Sequence, residues 1–141
     1  MSIKTTVTRK NRRGIVDRNY LKAAQRAVAV SATMVHGTAV ESITGGNKSG
    51  ETYTKYNPRR THTASAAGEP PAADTGYLHN NIIFAIDADG LGASVESRAE
   101  YSEMLEFGTS KMQARPFLQP AVEENRPKIR RLMTNLMRGA N

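Results

Sequence analysis

Between Asp17 and the pair Gly45-Gly46, apolar residues recur every three or four positions: Leu21, Ala24, Val28, Ala32, Val35, Ala39 and Ile43. That spacing puts them on one face of an α-helix. Asp17 is a favourable N-cap whose charge suits the helix dipole, and the paired glycines are a natural stop. The pattern predicts a helix over about residues 17–44, its stripe widened by Ala27, Val30 and Met34. Much of the stripe is alanine, so whatever covers it can approach closely.

The chain after this helix is punctuated by turn residues. Glu51–Tyr56 and Arg60–Ser65 alternate around Asn57-Pro58, which predicts a β-hairpin, with a disordered loop as the alternative. Large aliphatic residues are scarce from 46 to 71, so this segment is expected to protrude from the body. Gly68-Glu69-Pro70-Pro71 then makes an extended, stiff link. Asn81–Ala88 and Leu91–Ser97 flank Asp89-Gly90, a strong hairpin signal. Arg98–Phe107 predicts a short helix packing Tyr101, Met104, Leu105 and Phe107 on the sheet, ended by Gly108. Arg115-Pro116 resets the chain. A second long helix follows to about Arg138, carrying Leu118, Ala121, Val122, Ile129, Leu132, Met133 and Leu136. Pro120 falls in its first turn, where no N–H is needed, whereas Pro127 predicts a bend near 123–127. The expected class is α+β. It comprises an antiparallel sheet of about four strands, a long N-terminal helix, a kinked C-terminal helix and a protruding hairpin. A single domain over 17–141 would follow a basic arm, 1–16.

Charge singles out that arm. The net charge is +7 in 141 residues. Residues 1–26 hold eight basic side chains and one acid, and the remainder holds twelve of each. A basic N-terminal segment suits an acidic protein surface, phosphate, or plain solvation, and all three stay open. No apolar stretch follows it as a secretory signal would require. The longest uncharged run, Ala27–Val40, has 14 residues against the ~20 of a membrane span.

Catalytic chemistry has little to work with. Cysteine is absent, which removes thiolate metal sites and Cys nucleophiles. His36, His62 and His79 fall on three predicted elements without metal-ligand spacing. Asp87 and Asp89 read as turn residues around Gly90. Glu100, Glu103 and Glu106 recur at every third position, as a solvated or partner-facing strip would. No P-loop, nucleophile elbow or nucleic-acid-binding signature is present. The expectation is a protein that is not an enzyme and takes no cofactor or metal.

Three segments together resemble one family. "GETYTKY…RRTHTAS" precedes "SAAGEPPAADTGYLHNNI" (65–82), and "AEYSEMLEFGTSKMQARPFLQPAV" (99–122) follows. They are similar to the neck, or tail-completion, proteins of long-tailed phages, the Hong Kong 97-like gene-product-ten family. Gly68, Pro70, Asp74, Thr75, Gly76, Leu78 and Ile82 carry the first part of the likeness. Tyr101, Glu106, Phe107, Gly108 and Thr109 carry the second, and Ala114, Arg115, Pro116, Phe117, Leu118, Pro120 and Ala121 the third. The likeness spans about residues 50–125, and departs at Asn81 and Ser102, where the family has Ser and usually Ala.

The resemblance implies a structural virion protein of the neck, made in the host cytoplasm. It would form a ring, expected to be a hexamer, between the head connector and the tail. Implied partners are further copies of the chain, the connector or stopper ring, and a tail terminator or tube protein. Genomic DNA would pass through without sequence-specific binding, and no membrane is involved. A neighbouring neck ring (tail terminator or head stopper) and a DNA-binding accessory protein are the alternatives. Candidate contacts are Arg9, Lys10, Arg12, Arg13, Tyr53, Tyr56, Glu100, Glu103, Glu106, Lys111 and Arg115. Gly76, Tyr101, Phe107, Gly108, Thr109, Pro116, Phe117 and Pro120 are the expected structural positions.

Overall fold

The structure, a computed structural model, describes residues 2–6 and 18–139. The elements run β1 (Ser2–Thr6), α1 (Arg18–Thr44), β2 (Thr52–Tyr56), β3 (Arg59–Thr63), α2 (Tyr77–Asn80), β4 (Ile82–Ile86), β5 (Gly92–Ser97), α3 (Ser102–Phe107) and α4 (Leu118–Arg138). The class is α+β, with a long helix towards each end of the chain.

The strands divide into two sheets where one of about four strands was expected. β5 is the centre of a three-stranded antiparallel sheet, with β1 and β4 on its two sides. β2 and β3 pair only with each other. The stiff Pro70-Pro71 link follows that hairpin, and no ladder joins it to β4. β1 was not foreseen. Ser2–Thr6, placed by the sequence in the basic arm, lies opposite Glu96–Gly92. Ile3, Thr5 and Thr6 are β-branched residues of the kind that favours such pairing. Asp17 and the cluster Arg9, Lys10, Arg12 and Arg13 lie outside the described residues.

Helix α1 buries Ala24, Ala27, Val28, Ser31, Ala32, Val35, Ala39 and Ile43, close to the predicted stripe. Val30, assigned to that stripe, is exposed instead. The helix packs on two elements at once. Val28 and Ala32 meet Ala93 of β5, while Val35, Ala39 and Ile43 join Leu78, Ile82, Val95, Phe117, Leu118, Ala121 and Ile129 in the main core. Alanine at the contact lets α4 lie directly against α1. The two run antiparallel: Asn19 and Lys22 neighbour Asn135 and Gly139 at one end, and Thr38 meets Asn125 further along. Asn125 is buried, and its Nδ2 donates to Thr38 Oγ1 (2.8 Å) and to the Ala121 carbonyl (2.8 Å). A buried amide satisfied in this way fixes helix register, because sliding would strand it without partners.

Pro127 does not split α4, which continues as α-helix from Leu118 to Arg138. Glu123 and Pro127 both lie on its exposed side, where a carbonyl that loses its helical donor can be hydrated. On β4, Ile82, Phe84 and Ile86 share the face of Val95 and Ala93 that α1 covers. Only Ile82 is buried; Phe84 and Ile86 remain partly open because β4 is an edge strand.

Phe117 has no solvent exposure and sits where α1, α2, β5 and α4 converge in the core. Truncating a buried Phe typically costs about 3–5 kcal/mol. Phe117→Ala should therefore lower the denaturant midpoint by a large fraction of the wild-type value in a urea titration.

Candidate functional site

Residues 101–122 fold into one junction built around Glu106. This side chain was expected on a solvated or partner-facing acidic strip and as a subunit contact, but it is only 4% exposed. The reason lies downstream in the chain. Its Oε2 accepts the amides of Phe117 (2.9 Å) and Leu118 (3.1 Å), and its Oε1 accepts that of Gln119 (2.7 Å). A helix start leaves its first amides without carbonyl partners. At α4 those are the N–H groups of Phe117, Leu118 and Gln119, and the next residue, Pro120, has none. One carboxylate thus satisfies the whole first turn, and its negative charge lies at the positive end of the helix dipole.

The connection between Glu106 and α4 is held by its own backbone. Gly108 has φ 75° and ψ 179°, a conformation essentially restricted to glycine. A Cβ there would lie 2.8 Å from both Ala114 N and Met112 O. Thr109 Oγ1 accepts the amides of Lys111 (3.2 Å) and Met112 (3.1 Å), which closes the tight turn. Arg115 N donates to Leu105 O at 2.6 Å, and Gly68 N to Ala114 O at 3.0 Å. The 109–115 link is therefore stitched both to α3 and to the base of the β2–β3 hairpin.

Burying Glu106 turns α3 so that its other side faces outward. Tyr101, Met104 and Phe107, expected on the sheet, are all exposed, Phe107 by 63%. Only Ser102 and Glu106 of α3 are buried, with Leu105 half-buried. The outer side also carries Glu100 and Glu103, which are exposed as expected. Tyr77 lies beside Tyr101, ring centroids 6.1 Å apart, and is itself about half exposed. Desolvation, with Tyr77 alongside, raises the Tyr101 phenol above its ordinary range.

The hairpin stands out from the body, as expected, but is tied down both near its turn, through Lys55 and Arg60, and at its base, through Glu69. No residue of β2 or β3 is buried, and Tyr56 is 79% exposed. Lys55 pairs with Asp74, as does Arg60 Nη2 at 2.6 Å. The Lys55 hydrogen bond, and then the Arg60 and His62 charges, hold the Asp74 carboxyl below its usual range. Glu69 takes the Ser49 hydroxyl and the amides of Ser49 and Ala66, and these bonds lower its pKa to about 2. Arg115 Nη1 donates to Ser65 Oγ at 3.2 Å, joining the α4 junction to the end of the hairpin. Lys111 is exposed on the link.

Of the residues considered for chemistry, His62 and His79 line one cavity, with Asp74 between the hairpin and α2, while His36, Asp87 and Asp89 lie elsewhere. His36 Nε2 is 2.9 Å from the Ile82 carbonyl, with Phe84 edge-on to its ring. Asp89 Oδ1 accepts Leu91 N within the β4–β5 turn. No metal-competent cluster of His, Asp and Glu occurs among the described residues. Nor, among them, is any helix long and apolar enough to cross a membrane. The chain matches no family model, no curated protein and no solved structure.

Glu106→Gln removes the charge and at least one good acceptor from a buried cap. A charge-assisted hydrogen bond is typically worth about 1.5–3 kcal/mol. The variant should lose about that much stability in denaturant titration, and Glu106→Ala more, with amide exchange accelerated first at Leu118 and Gln119.

Proposed function

We propose that this chain is a structural subunit of a phage neck, forming a ring at the head–tail junction and carrying out no catalysis. The observation that most supports this reading is the presence of two separate apolar surfaces on one small subunit. Tyr101, Met104 and Phe107 form one on α3, and Phe84 and Ile86 form the other on edge strand β4. Scattered exposed apolar residues need no explanation, whereas rows of them on a helix face and on an edge strand are typical of contact surfaces. A closed ring requires two different faces on each copy, since every contact joins unlike surfaces.

The cap at Glu106 serves the same end. It withdraws one carboxylate from the strip and leaves Glu100 and Glu103 at the exposed rim of the α3 surface. Rim charges set orientation and encounter rate more than affinity, a fitting role beside an apolar centre. The ion pairs of Lys55 and Arg60 with Asp74, next to the hairpin turn, order the hairpin before assembly and leave Tyr56 79% exposed, at low entropic cost. The motif likeness over about residues 50–125 supports a place between connector and tail, and the charge of Arg9, Lys10, Arg12 and Arg13, outside that likeness, suits contact with an acidic neighbouring ring.

Particles assembled without this chain should yield filled heads and complete tails that fail to join. Adding purified protein should restore joined particles, counted by electron microscopy. A chain bearing Met104→Ser and Phe107→Ser should fold but restore few. Normal joining without the chain would refute the neck role.

A further inference from the structure

A cavity of about 250 Å³ opens between the β2–β3 hairpin, the 71–76 segment, α2 and α3. Its lining has a distinct chemistry. Tyr53, Tyr77 and Tyr101 supply aromatic walls, and all three are partly exposed at its mouth. Arg115 and His79 also line it, and Arg115 Nε and His79 Nδ1 are buried without a hydrogen-bond partner among the described residues. Both residues therefore keep unused donor capacity beside one cavity, and an unmet buried donor costs about 1–3 kcal/mol.

The charge around the cavity favours an anionic acceptor. The lining carboxylate, Asp74, is ion-paired with Lys55 and Arg60, so these three groups sum to a net positive charge before Arg115 is added, and its Oδ1 is likewise without a hydrogen-bond partner among the described residues. The guanidinium of Arg115 is held on one side by Ser65 Oγ at 3.2 Å, which fixes the orientation of its remaining edge. A planar fork held in this way fits a carboxylate. We propose that this cavity binds the carboxylate side chain of an acidic segment on a partner polypeptide, held by Arg115 and His79. A polypeptide suits the site better than a free anion because the tyrosine walls lead onto exposed Met104 and Phe107 of α3. An acidic residue flanked by apolar ones would fill the cavity and cover that ridge together. The inference rests on the cavity alone and stands whether or not the chain belongs to a phage neck.

The test is a titration of the full chain with the capped tripeptide acetyl-Leu-Glu-Leu-amide, followed by the NMR signals of the His79 and Tyr101 rings. Saturable shifts are expected, with the acetyl-Leu-Gln-Leu-amide counterpart at least about tenfold weaker, the worth of one charge-assisted bond. Arg115→Lys and His79→Gln should each weaken binding of the Glu peptide while leaving the circular dichroism spectrum unchanged. If Arg115→Lys fails to fold, the Glu/Gln comparison on the wild type and the His79→Gln variant still decide. Equal affinity for the two peptides, or no saturable shift up to about 10 mM peptide, would overturn the proposal. So would inorganic phosphate or acetate competing as strongly as the peptide, since the site would then serve a free anion or a nucleic-acid backbone.

Discussion

The hydrogen bonds from Phe117, Leu118 and Gln119 to the Glu106 carboxylate fix two helices that share little other contact. α4 begins at a buried point, where water cannot serve its first amides, and the chain ahead of it ends in Arg115-Pro116. A buried helix start without acceptors would be costly. Glu106 removes that cost and in doing so sets the rotation of α3, since a six-residue helix with one side chain pinned has little freedom left. The exposure of Tyr101, Met104 and Phe107 follows from this rotation. So does the position of Leu105, whose carbonyl receives Arg115 N and whose side chain lines the cavity beneath the tyrosines.

Local signals in the sequence carried much of the fold. The α1 stripe, the Gly45-Gly46 stop, both hairpins and the span of α4 are set by neighbours a few residues apart, and each falls where its pattern predicts. Readings that depended on distant partners were less secure. Glu100, Glu103 and Glu106 look equivalent by spacing, but only Glu106 meets three amides 11 to 13 residues further on. Phe107 looks like core because it is apolar, yet one buried acid on the same short helix is enough to turn it outward. Asn125 gave no signal because its partner, Thr38, is 87 positions away. A cue did exist for Glu106: an acid shortly before a proline-flanked helix start that lacks a Ser, Thr, Asp or Asn cap. For β1, the β-branched residues Ile3, Thr5 and Thr6 were overshadowed by the charge that follows them.

The fold is braced in the middle and exposes apolar side chains at two margins. Asn125 locks α1 to α4, and α1 covers β5 through small side chains, so the β4 edge and the α3 face hold a set relation to each other. An apolar edge strand on a lone monomer invites uncontrolled pairing, and a ring contact would cover it. The same geometry suits a subunit whose two faces differ and meet head to tail, as the contacts of a closed ring require.

The most direct test of this account is a mixing experiment read by native mass spectrometry. One variant carries Met104→Ser and Phe107→Ser, disabling the α3 face, and the other carries Phe84→Ser and Ile86→Ser, disabling the β4 face. If unlike faces meet, each variant alone remains a monomer, and the equimolar mixture forms a one-to-one complex that grows no further. If either variant dimerises alone and mixing adds no new species, the faces pair like with like and the ring account is contradicted.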